Sequence, residues 1–162
     1  MPMRIFHDVR ESLLETYGAC IDVTLVEPKW EGVQTLLDDL WASYSTISAT
    51  NAYYEYVDSP EPSSVMAWAK ETPHLHVVLE GGIGLIKRLQ VFLSPELEGP
   101  FVELTFFPED IDQPPDLAEA FVAWADAKCA LAGASSYFAR QENASWKFGD
   151  VGLNSGVFLA SI

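Results

Sequence analysis

The chain of 162 residues carries 24 acidic against 9 basic side chains, a formal charge of −15 at pH 7 with histidine neutral. Apolar residues make up 49% of it and aromatic residues 12%, which excludes intrinsic disorder and supports one domain, 1–162, folding on its own core. A field of that sign repels phosphate backbones and anionic bilayers, so no nucleic acid and no membrane is expected as partner, whereas a basic protein is.

Cys20 and Cys129 stand in unrelated segments, each without a close Cys or His, so zinc-type spacing is absent and both read as buried free thiols. Residues 1–9 hold no apolar signal-peptide core and no apolar run reaches the length of a membrane span. A reducing cytoplasm is the expected location.

In chain order, Phe6, Val9, Leu13, Leu14 and Tyr17 recur at helical spacing before Gly18, which predicts a short helix over 8–17. The spacing then changes to two: Ile21, Val23 and Leu25 alternate with Asp22 and Thr24, a half-buried strand over 19–26 that ends at Pro28. Val33, Leu36, Leu37, Leu40, Trp41 and Tyr44 form one apolar stripe, with Glu31, Gln34, Asp38 and Asp39 off it, so 31–44 is an amphipathic helix. The tyrosine-rich stretch 52–57 reads as extended. Pro60 and Pro62 break the chain before Ser63 or Ser64 starts a short helix through Lys70.

Three strands are expected next, over 74–80, 85–93 and 101–107, joined by a glycine-rich turn at 81–84 and a Pro/Glu/Gly turn. Short connections of this kind favour an antiparallel meander, placed at the centre of the sheet. Pro114 and Pro115, then Leu117, Phe121, Trp124, Cys129 and Leu131, then Gly133 describe a second long helix over 116–131. Short strands at 137–140, 146–148 and 157–160 complete the chain. The class is α+β, a mostly antiparallel sheet covered by two long amphipathic helices, with a doubly wound α/β fold as the alternative.

The sharpest chemical lead is His74-Leu75-His76-Val77-Val78-Leu79-Glu80, where strand alternation places His74, His76 and Glu80 on one face. The spacing resembles the first metal motif of the cupins, which implies a divalent cation held by those three side chains. Trp68 stands in place of that motif's leading glycine, no histidine follows His76, and His7 is remote in sequence. No metal site and no cofactor is therefore expected, and solvated histidines are the simpler account.

Residues Gly81, Gly82, Ile83 and Gly84 lack the Lys-Ser/Thr pair of a phosphate loop, and no GxSxG elbow is present. Carboxylates such as Glu109, Asp110 and Asp112 are too numerous to single out an acid/base pair and suit the start of a helix. No catalytic residue is assigned. The polar and aromatic stretch 140–150 either lines a pocket or forms a turn between edge strands.

Charge distribution remains. No Lys or Arg occurs in 30–69 or in 89–127, and these two runs supply fifteen carboxylates. Brought together, they would make a patch that steers a basic partner, with Trp41, Tyr44, Tyr53, Tyr54 and Tyr56 as desolvated anchors. The expectation is a non-catalytic acidic protein-binding module, of the kind an inhibitor or an immunity protein represents, contacting its partner through Asp38, Asp39, Glu55, Asp58, Glu109, Asp110 and Asp112. The alternative is a small cytosolic enzyme or a small-molecule or metal-binding protein using His74, His76 and Glu80.

Overall fold

A computed structural model describes residues 3–15, 19–142 and 156–161. Along the chain these form β1 (Met3–Ile5), α1 (Val9–Leu14), β2 (Ile21–Val26), α2 (Trp30–Ser43), β3 (Thr46–Thr50) and α3 (Pro62–Glu71). Then follow β4 (Leu75–Glu80), β5 (Leu89–Glu96), β6 (Gly99–Phe106), a short 3-10 turn (Pro108–Asp110), α4 (Leu117–Leu131), β7 (Ser136–Gln141) and β8 (Val157–Ser161). The strands make one eight-stranded sheet in the order β1-β8-β7-β2-β6-β5-β4-β3. Every neighbouring pair is antiparallel.

The expected meander is present as β4-β5-β6, with Val77 opposite Val91 and Val91 opposite Leu104. It fills one half of the sheet and not the centre, because β2 pairs with β6 on one side and with β7 on the other. Strands β1 and β3 were not expected. Both are short, and the alternation in Thr46-Ile47-Ser48-Ala49-Thr50 rests on two apolar residues, Ile47 and Ala49. The strand predicted over 19–26 is buried on both faces, Asp22 and Thr24 included, and not half-buried as the alternation suggested. The expected strand 146–148 lies outside the described residues.

One face of the sheet carries the main core. Leu75, Val77 and Leu79 of β4, Leu89, Val91 and Leu93 of β5, and Leu104 of β6 are fully buried together with Val33, Leu36, Leu37 and Leu40 of α2. Phe121 of α4 is also wholly inaccessible, with ring centroids of Phe106, Trp124 and Phe158 at 6.0, 6.1 and 6.2 Å. Four helices, two of them short, contribute to this layer: α2 packs on α3 and α4, and α1 packs on α4 and β8. The helix N-terminal to β2 is closed by Asp8, whose carboxylate accepts from the Glu11 amide at 2.8 Å.

Helices α2 and α4 meet at a backbone approach that depends on Gly32. A Cβ there would run into the carbonyl group of Ala132, the residue whose oxygen accepts from the Lys29 amide at 3.0 Å. Backbone on both sides leaves little to give way. Gly32→Ala should therefore destabilise the fold by about 1–3 kcal/mol despite alanine's better helix propensity. Equilibrium urea unfolding checks this; an unchanged or raised midpoint would mean that the helices separate freely.

Candidate functional site

Strand alternation gives the sheet a second face, opposite the main core. In the β1, β8, β7 half it is closed by a small cluster of Phe138, Val157 and Ala160, with Phe6 and Val26 packed against it. In the β5, β4, β3 half the side chains Phe92, His76, Val78 and Thr50 remain partly accessible. At the boundary lies a recess of about 330 Å³ lined by Cys20, Asp22, Gln90, Phe92, Phe101, Glu103, Thr105, Phe107, Arg140 and Glu142.

Register explains why these groups meet. Asp22 of β2 lies opposite Arg140 on β7 and Thr105 on β6, while Glu103 lies between Thr24 on β2 and Phe92 on β5. The Arg140 Nη2 is 3.1 Å from Asp22 Oδ2, and Thr105 Oγ1 donates to Asp22 Oδ1 at 2.9 Å. Thr24 Oγ1 donates to Glu103 Oε2 at 3.1 Å. Cys20 Sγ donates to Glu142 Oε2 at 2.6 Å.

Burial dominates the electrostatics here. It raises the Asp22 carboxyl above its ordinary range even though the Thr105 hydrogen bond and the Arg140 guanidinium pull the other way. Burial, reinforced by the Asp22 carboxylate, pushes Glu103 up to about 7. Burial and the hydrogen bond to Glu142 likewise raise the Cys20 thiol, so it stays protonated at neutral pH and is no nucleophile.

The three residues of the histidine motif do not converge. His74 precedes β4 with a φ of 58°, exposed, its amide donating to Ser94 Oγ at 2.7 Å. A left-handed residue interrupts the alternation that would have aligned it with His76. His76 Nε2 lies 2.8 Å from Gln90 Oε1 with its ring stacked on Phe92, centroids 4.6 Å apart, and Glu80 Oε1 pairs with Arg88 Nε at 3.2 Å. No group of three metal-ligating side chains is found among the described residues.

The seven candidate carboxylates of the two Lys/Arg-free runs fall into three places. Glu109, Asp110 and Asp112 lie where the loop after β4 meets the 3-10 turn, and there Lys87 Nζ is 3.1 Å from Asp112 Oδ2. Burial and Glu109 raise the Asp110 carboxyl, and Arg88 opposes the shift. Asp38 is exposed on α2 and accepts from Gln34 Nε2 at 3.2 Å, whereas Asp39 binds Lys128 Nζ of α4 at 2.7 Å. Glu55 and Asp58 lie in the connection after β3, at the opposite end of β4 from Glu80, since Thr46 pairs with Glu80 and Thr50 with His76.

That connection is a built turn and not the extended segment the tyrosines suggested. Buried Asn51 accepts through Oδ1 from the amides of Tyr53 at 2.9 Å and Glu55 at 3.0 Å, and donates through Nδ2 to Glu55 Oε1 at 3.0 Å. Its main chain adds Asn51 N–H to Glu55 O at 3.0 Å, and Thr50 bridges to Tyr56. The turn holds Tyr53, Tyr54 and Tyr56 at 76%, 88% and 72% exposure. A side-chain scaffold of this sort is the Asx-turn chemistry of asparagine, and Asn51 ahead of the tyrosines was the signal available for it.

No helix among the described residues is long and apolar enough to cross a membrane. No family model matches the sequence, and no curated protein matches it. Among solved structures, a chain from the complex described as the toxic C-terminal tip of CdiA from Pseudomonas aeruginosa with immune protein is similar, at 12% identity, a TM-score of 0.49, and coverage of 78% of this chain and 88% of that one. A likeness that slight carries no functional inference.

Proposed function

We propose that this protein is a non-catalytic binding module that captures a basic protein, as an inhibitor or an immunity protein does. The observation that supports it best is the Asn51 turn, which presents three tyrosines to solvent within a run, 30–69, free of Lys and Arg. Tyrosine loses little conformational entropy on binding and offers a flat apolar ring with a polar tip, so it is enriched where interfaces derive most of their energy. Fixing the turn beforehand lowers the ordering cost further. Glu55 and Asp58 beside the rings supply charge complementary to Lys or Arg.

The remaining candidates act at longer range. Asp38, Asp39, Glu109, Asp110 and Asp112 contribute to the field that steers the partner, and Asp39 and Asp112, already paired with Lys128 and Lys87, contribute least. The small-molecule alternative loses His74, His76 and Glu80, which do not converge, and passes to the recess around Glu103.

The experiment is capture of partners from a host lysate on the immobilised protein, followed by affinity measurements with the purified partner. The captured partner should be basic, and Tyr54→Ala should weaken it about tenfold, the effect of one interfacial anchor. Capture of partners with no bias toward basic proteins, or full affinity in a Tyr53, Tyr54, Tyr56 triple alanine variant, would overturn the proposal.

A further inference from the structure

We propose that the recess between Phe92, Phe101 and Phe107 on the second face of the sheet is a binding site for a guanidinium or alkylammonium group. Three carboxylates, Asp22, Glu103 and Glu142, line it against one cation, Arg140, and that cation is engaged by Asp22 at 3.1 Å. Glu103 stands on β6 directly across from Phe92 on β5, and Phe101 lies two residues before it on the same strand face. A carboxylate flanked by benzyl rings matches a cation that is weakly hydrated and planar or carries methylenes, because the rings attract its charge and cover its alkyl part. Phe92 is itself held in place by the parallel ring of His76, stacked at an interplanar angle of 1°.

The dimensions and surroundings agree. A volume of about 330 Å³ is at the small end of cavities that hold organic ligands. Phe101 also lines a neighbouring recess of about 430 Å³ bounded by Glu27, Glu96 and Glu98, so the negative lining continues past the ring, with Lys29 lying beyond it. The carboxyl of Glu103, raised to about 7 by burial and by Asp22, would ionise fully when a cation settles beside it.

The cation has two possible sources, an arginine or lysine side chain of a protein and a free small amine. The site does not depend on the tyrosine turn, so its failure would leave the capture proposal standing. The test titrates the protein at pH 7 with N-acetyl-arginine amide, with its neutral citrulline counterpart, and with an arginine-containing hexapeptide, following backbone amide shifts by NMR.

Arginine amide should produce saturable shifts at Gln90, Phe92, Phe101 and Glu103, and citrulline amide should not. Glu103→Gln should weaken binding about tenfold or more, and Phe101→Leu by a smaller factor with the fold intact by thermal unfolding. A hexapeptide bound more tightly than the single residue assigns the source to a protein segment, and equal affinities assign it to a free cation; both support the site. Absence of saturable shifts at the recess, equal binding of the citrulline amide, or unchanged affinity in both variants would overturn it.

Discussion

Asp22→Leu should destabilise the protein by about 3–5 kcal/mol, and the double variant Asp22→Leu with Arg140→Met should recover a large part of that loss. The pair is deeply placed, with 5% of the Asp22 side chain and 15% of the Arg140 side chain accessible. Removing the aspartate leaves a guanidinium in a low-dielectric site, and arginine cannot discard its charge by losing a proton. Arg140→Met should be milder, because Asp22 keeps the Thr105 hydrogen bond and, with its pKa already raised by burial, can take up a proton. Replacing both by apolar residues removes two desolvated charges at once. Urea unfolding of the four species gives the coupling directly; strictly additive losses would show that the two groups do not act as a pair.

Lowering the pH from 8 to 5 should increase the contribution of Glu103 to stability by about 3 kcal/mol, at roughly 1.4 kcal/mol per unit of pKa. Its carboxyl titrates near 7 in the fold against an ordinary value of 4.5. Between those values the folded state binds the proton and the unfolded state does not, so stability falls as pH rises through the window. Above about 7 the group is ionised in both states and its whole cost is present. Glu103→Gln, neutral throughout, should therefore be more stable than the parent at pH 8 and lose most of the difference by pH 5. Stability that rises between pH 5 and 7 in the parent, at a rate Glu103→Gln does not change, would refute the assignment.

What could be read from sequence was whatever depends on neighbours in the chain. The stripe from Val33 to Leu40, the glycine and proline punctuation around α4, and the β4-β5-β6 meander are local patterns, and they produced the right elements. The site was legible only in fragments. Asp22 and Thr24 were visible as the polar side of a strand, but that Arg140, Thr105 and Glu103 would join them depends on β2 lying between β7 and β6. Such pairings join distant segments and leave no periodicity behind.

Other signals misled because one residue changed the local rule. A left-handed His74 ended the alternation that His76 and Glu80 continued. Gly32 gave no local signal, because its role is a close approach by the far end of α4. Lysines and arginines missing from a run in sequence returned in space, with Lys87 at Asp112 and Lys128 at Asp39.

Stopped-flow association with the captured partner between low and physiological salt tests most directly the proposed capture of a basic protein by a tyrosine-bearing, acidic surface. The association rate should fall steeply with added salt. Charge reversal of Asp38 with Asp39, or of Asp110 with Asp112, should reduce both the rate and its salt slope, while the triple tyrosine variant should mainly speed dissociation. A rate indifferent to salt and to both reversals, with dissociation unchanged in the tyrosine variant, would contradict capture of a basic partner by this surface.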